Sequence, residues 1–209
     1  GTVVDPGNGI HKKMDIGIYG KNIVDVFEPG TKPGKICGSK VIDAEGMAVV
    51  PGLVNGHAHL FPGLRFSYPP AELWKRGITA AIDMGSLTHA SFNRCRHMVD
   101  EIPCTVNVCL GLSCMSEVHG EIPRYTLLDK EVDKFKVKDL FEMHPDVLIG
   151  MKVFIGHNDS PGAELTHAVM KKARELCDYV GCRMFVHVAN PDIPFDELID
   201  YFNPGDNFT

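Results

Sequence analysis

The segment "PGLVNGHAHLFPG" at residues 51–63 sets His57 and His59 one residue apart inside an apolar run. In a strand, successive side chains point to opposite faces. His57 and His59 would then share one face with Leu53 and Asn55, and Val54, Gly56, Ala58 and Leu60 would share the other. Two neutral imidazoles on one rigid element can converge on a single divalent cation. A lone histidine in such a run is more often a packed core or surface residue, so the pairing carries the signal. Lys152, in "IGMKVFIG", is a second polar group within an apolar strand-like run. Burial of an unpaired ammonium is costly and favours the neutral amine. A neutral amine can take up carbon dioxide to form a carbamate, an anionic ligand able to bridge two metal ions. The plain alternative is a lysine whose head reaches solvent at the strand end. His187, in "MFVHVAN", lies just before an Asn-Pro loop and taken alone would be read as a core histidine.

The elements that must position these residues follow from periodicity. Residues 1–50 contain short β-prone runs, "MDIGIYG", "NIVDVFEPG" and "KVIDAEGMAVVPG", broken by Gly, Pro and Asn turns, and predict a small β subdomain without helices. From residue 51 to 209 strand-like runs alternate with helical ones. The strands are "GLVNGHAHL", "ITAAIDMG", "CTVNVCLGLS", "VLIGMKVFIG" and "CRMFVHVAN". The helices are "PAELWKRG", "THASFNRCRHMVDE", "KEVDKFKVKDLFEMHP", "SPGAELTHAVMKKARELCDYVG" and "PFDELIDYF". "NPGDNFT" leaves room for another strand to start. About five βα units predict an α/β fold with a parallel sheet covered by helices. An open doubly wound sheet and a (β/α)8 barrel both satisfy that pattern. Neither G-x-G-x-x-G after the first strand nor G-x-x-x-x-G-K-[ST] anywhere is present, so the barrel is preferred. A complete barrel takes about 250 residues; the chain has 209.

Composition excludes other classes. The net charge of -6 is spread without a Lys/Arg stripe, which argues against nucleic acid as a partner. No apolar run approaches the roughly 20 residues needed to span a bilayer, and "GTVVDPGNGIHKK" lacks a signal-peptide core, so no membrane association and a cytoplasmic location are expected. Seven cysteines, at 37, 95, 104, 109, 114, 177 and 182, form no C-x-x-C pair and no zinc-ribbon spacing, and Cys104 and Cys114, in a Val/Leu-rich segment, are read as small buried hydrophobes in a reducing compartment.

Taken together, "VVDPGNGIHKKMDIGIYGKNIVDVF", "VIDAEGMAVVPGLVNGHAHLFPG", "GITAAIDMGS", "GMKVFIG" and "FVHVANP" resemble the amidohydrolase superfamily of metal-dependent hydrolases, in particular its dihydroorotase-like and deacetylase-like members. The resemblance implies the N-terminal part of a TIM-like (β/α)8 barrel with a small N-terminal half of a β-sandwich. It implies two divalent ions, with zinc the expected pair: His57 and His59 on the more buried ion, carboxylated Lys152 bridging, and His187 on the second. The implied chemistry is hydrolysis of an amide, cyclic amide or ester of a small molecule by a metal-bridging hydroxide. A strand-six histidine and a strand-eight aspartate acting as general base are also called for and would lie beyond Thr209. No catalytic base is therefore assigned within the chain, which is expected to be inactive alone and to form a homo-oligomer or pair with a complementary C-terminal segment.

Dihydroorotases of that superfamily tend to carry an arginine two positions after H-x-H, where this chain has Phe61. A ring cannot make the bidentate pair with a substrate carboxylate, so a deacetylase-like activity is preferred over a dihydroorotase or hydantoinase. Mononuclear deaminases generally lack the strand-four lysine, so Lys152 argues against that branch. A non-catalytic assembly or regulatory protein on the same fold is the alternative from another class. Asp83 either supports the metal ligands or caps the next helix, with the cap preferred. Phe61, Asp83, His157 and Asn158 are candidate pocket residues. His89 and His119 occupy loops, and His97, His144 and His167 occupy predicted helices.

Overall fold

The computed structural model describes residues 1–31, 40–61, 67–112, 132–156, 162–189 and 191–209. These form two compact units, Gly1–Gly52 and Leu53–Thr209.

In the first unit, β1 (Thr2–Asp5) pairs antiparallel with β2 (Ile10–Lys13) and parallel with β5 (Ala48–Val49), while β3 (Asp15–Tyr19) and β4 (Asn22–Phe27) form a separate hairpin. The β1–β2 connection is a single 3₁₀ turn over Pro6–Asn8. Asp5 accepts the Asn8 backbone amide at 3.3 Å and its side-chain amide at 2.6 Å. The "KVIDAEGMAVVPG" run yields only the two residues of β5. Gly46, at φ +76°, turns the chain just before them, and Val41 and Ile42 are exposed.

The second unit is a six-stranded sheet: β6 (Leu53–Ala58), β7 (Ile78–Met84), β8 (Thr105–Gly111), β9 (Leu148–Gly156), β10 (Arg183–Ala189) and β11 (Asn207–Phe208). Every pairing is parallel and each strand lies beside its predecessor in the chain. A doubly wound sheet reverses strand order at a switch point. This order does not reverse, so the sheet is a curled half-barrel.

The connecting helices are α1 (Ala71–Lys75), α2 (Phe92–Glu101), α3 (Lys134–Met143), α4 (Ala163–Val180) and α5 (Phe195–Ile199). No described helix is long and apolar enough to cross a membrane. Helix α3 starts later than its charge pattern suggests because Asp133 takes the cap position, accepting the Phe135 and Lys136 amides at 3.1 Å each. Helix α4 is the longest, and its buried positions Thr166, Val169, Met170, Ala173, Leu176 and Cys177 follow helical spacing. Val169, Met170, Ala173, Leu176 and Cys177 pack on Met151, Val153 and Ile155 of β9 and on Met184 and Val186 of β10. Alternation then turns Lys152, Phe185 and His187 to the other side of the sheet. A smaller apolar cluster on that side joins Met84, Cys109 and Phe185.

Candidate metal centre

His57 and His59 stand at the carboxyl end of β6, the first strand of the half-barrel. The strand departs from simple alternation there. Asn55 is level with Ala81 and Ala58 with Asp83, so Gly56 and His57 together face the one residue Ile82. That is a bulge, and it bends the strand end. The His57 amide turns back onto Asn55 Oδ1 at 3.1 Å. The strand stops at Ala58, leaving His59 just beyond it; even so, the two imidazole centroids are 5.6 Å apart with their planes at 70°. The expected apolar face of β6 is only half realised. Ala58 and Leu60 are buried, whereas Val54, on an edge strand paired on one side, remains 68% exposed.

Asp83 secures this strand end. It is fully buried, accepts the Leu60 amide on Oδ2 at 2.8 Å and accepts the Ser86 amide on Oδ1 at 2.9 Å. Burial pushes its carboxyl up to about 6 despite those bonds. The preferred reading of Asp83 as a cap of the following helix needs correction. Helix α2 begins at Phe92, and the Phe92 amide donates to Thr88 O at 2.9 Å. Ser86 extends the chain of contacts, its Oγ lying 3.2 Å from His59 Nδ1. A carboxylate in β7 thus fixes the backbone after β6, and the serine it orders holds an imidazole edge.

Lys152 is 6% exposed in the middle of β9, level with Gly111 of β8 and Phe185 of β10. Two glycines make room for its stem. A Cβ on Gly85, whose φ is +89°, would sit 3.0 Å from Lys152 Cγ, and a Cβ on Gly111 would sit 2.7 Å from the Gly85 carbonyl oxygen. Burial lowers the Lys152 amine to about 8, opposed by the Cys109 thiol in the layer beneath. The amine lies 3.5 Å from Thr209 Oγ1.

His187, at the end of β10, stacks on Phe154 of β9 with centroids 4.6 Å apart and planes at 17°. His57, His59, Lys152 and His187 are close enough to act on one another. Burial, followed by the charges of Lys152, His59 and His187, lowers His57 to about 4. Burial, Lys152 and His187 lower His59 in the same direction. The His57 and His59 imidazoles are therefore favoured as neutral nitrogen donors, the form a metal ion requires. Among the described residues no group of three or more His, Cys, Asp or Glu side chains is placed to hold a metal. The donor set nevertheless fits one if Lys152 contributes as a carbamate, for which a buried amine of lowered basicity is the right precursor.

The other candidates fall elsewhere. Phe61 is 2% exposed and packs with Leu60, Leu73 and Phe92 in the cluster between sheet and helices. It also lines a cavity of about 450 Å³ against Tyr68, Pro70, Met98 and Ile102, a lining that includes neither histidine of the pair. His157, Asn158 and His119 lie outside the described residues. His89 is half-buried, and burial together with Lys136 lowers its basicity. His144 packs against Phe92, and His167 Nδ1 lies 2.8 Å from the Tyr201 hydroxyl. The sequence reading missed Ser86, Gly85 and Gly111. The only signal for them was the "MGS" and "LGL" ends of two predicted strands, where small residues mark close approach.

No family model matches the chain. A deacetylase of Agrobacterium fabrum is 26% identical over 172 residues, covering 80% of this chain and 42% of the relative. A dihydroorotase of Streptococcus thermophilus is 26% identical over 198 residues, covering 92% of this chain and 42% of the relative. The chain spans less than half the length of these curated relatives. A dihydroorotase crystal structure superposes with a TM-score of 0.78 at 24% identity, covering 95% of this chain and 53% of that one, which establishes a common fold. Sequence likeness over at least four-fifths of the chain, joined to an in-order parallel half-barrel, makes this chain similar to deacetylases and dihydroorotases and gives it the fold of a dihydroorotase.

Proposed function

We propose that the protein to which this chain belongs hydrolyses a carbon–nitrogen amide bond of a small molecule, with a deacetylase-like activity on an N-acyl substrate. The observation that carries this reading is that Lys152 and His187 lie near enough to His57 and His59 to lower their basicity, with the histidines at the carboxyl ends of β6 and β10. Active sites of parallel barrels lie at that end of the strands. His57 and His59 would hold one divalent ion, carboxylated Lys152 would bridge, and His187 would hold a second, with zinc the expected metal. Such ions supply Lewis-acid polarisation of a carbonyl and hydroxide at neutral pH. The protein's own contribution is positioning: Asp83 and Ser86 set the His59 ring, and the glycine pair seats the Lys152 stem. Met84, Cys109 and Phe185 form an apolar floor that keeps water out from below.

A dihydroorotase-type cyclic amidohydrolase is the second reading, favoured by the dihydroorotase relative that covers 92% of the chain. The burial of Phe61 in the helix-side core rests the case against it on the missing arginine rather than on a ring in the pocket. β6 and β11 are the edges of the described sheet, which supports pairing with a further segment or a second copy.

The test is a turnover panel on the protein at its full natural length, offering N-acetyl amino acids and dihydroorotate with and without chelator. Acetate release abolished by the chelator is the expected result. Turnover of dihydroorotate alone would shift the assignment to the second reading. No turnover of any amide by zinc-loaded protein would support a non-catalytic role.

A further inference from the structure

Helix α4 ends at Gly181, in a left-handed conformation at φ +79°. Two amides fold back there onto one carbonyl: the Gly181 and Cys182 N–H groups both donate to Cys177 O, at 2.8 and 3.0 Å. This cap carries the residue after the glycine over the last helical turn, against the side chain five positions earlier. In most helices that contact joins two apolar side chains. Here both are cysteines, and both are unoxidised. Cys177 is fully buried in the helix-side core; Cys182 is half-buried, packs on the same cluster and lines a surface groove of about 350 Å³ with Glu142, Leu148 and Arg183. A small oxidant can therefore reach Cys182 first.

We propose that Cys177 and Cys182 form a reversible dithiol–disulfide pair that staples the end of α4 to the start of β10, with a low-molecular-weight disulfide such as oxidised glutathione as the oxidant. The Cys182 thiolate attacks one glutathione sulfur, breaking that S–S bond and releasing one glutathione thiolate, which takes up the proton Cys182 has lost. The Cys177 sulfur, giving its proton to solvent, then attacks Cys182 Sγ and expels the second glutathione as a thiolate that is reprotonated. Two protein thiols are oxidised and one disulfide is reduced to two thiols. The cap bond from the Cys182 amide to Cys177 O already holds the two residues together, so closure asks little of the backbone.

Both cysteines lie on one tryptic peptide, Glu175–Arg183, so the reaction can be read without choosing among seven thiols. Native protein is equilibrated in glutathione buffers of rising oxidised fraction, quenched in acid, unfolded with iodoacetamide and digested. The expected result is conversion of the doubly alkylated peptide to an unalkylated one lighter than the free dithiol peptide by two hydrogens, reversed by dithiothreitol. In Cys182→Ser protein the same buffers should leave Cys177 fully alkylatable. Persistence of both thiols, or accumulation of a stable glutathione adduct on Cys182, would overturn the proposal.

Discussion

The Leu60 amide donates to Asp83 Oδ2 at 2.8 Å, tying the segment after β6 to the end of β7 through a carboxylate that has no solvent exposure. The histidine pair sits immediately upstream of that bond. Asp83→Asn offers only one acceptor oxygen, so either the Leu60 or the Ser86 amide loses its partner, a loss of about 1–3 kcal/mol. Because burial raises the carboxyl from 3.8 to about 6, its favourable contribution is fully present below 3.8 and is lost as the pH rises through 6. Urea unfolding should show wild type ahead of Asp83→Asn by more near pH 4 than near pH 7. A gap that widens toward neutral pH would contradict the assignment.

Ser86→Ala separates positioning from folding. It keeps the backbone bond to Asp83 and removes the hydroxyl beside His59 Nδ1. Loss of an outer partner of a metal-binding histidine costs about 10–100-fold in metal affinity. Competition with a chromogenic chelator should show that drop, with the urea midpoint nearly unchanged.

Gly85→Ala should destabilise the protein by about 1–3 kcal/mol through overpacking against the Lys152 stem, with further strain from its positive φ. Lys152→Ala removes Cγ, the atom the new methyl would meet at 3.0 Å. The double mutant should therefore recover about 0.5 kcal/mol or more relative to the sum of the singles. Strict additivity would show that the stem does not run past Gly85.

Lys152→Ala also tests the carbamate. In the protein at its full natural length, activity should fall on the order of 100-fold or more, and short carboxylic acids should restore part of it by standing in for the missing ligand. Full activity in the variant would rule out a role for Lys152 as a ligand.

His57, His59, Lys152 and His187 could be picked out from the sequence because each interrupts an apolar strand-like run. The strand–helix alternation then assigned them to the first, fourth and fifth strands of a parallel sheet. What could not be read depended on contacts distant in sequence or on small backbone irregularities. Asp83 reaches Leu60 across 23 positions, and a one-residue bulge at Gly56–His57 displaces the pair from strict alternation. Phe61 went to the helix side because the strand ends at Ala58 and period-two reasoning stops applying there. The exposure of Val54 reflects its edge strand, which composition cannot show. The cysteines were set aside on spacing alone, whereas a helix cap brings Cys177 and Cys182 together.

The most direct measurement of the central claim is metal content. The protein at its full natural length, grown with zinc and freed of loosely bound ions, should carry about two equivalents of zinc per chain. His57→Ala with His59→Ala, and separately Lys152→Ala, should each lower that number while the far-ultraviolet dichroism stays unchanged. Folded wild-type protein without zinc, and unable to take it up on dialysis, would contradict the account.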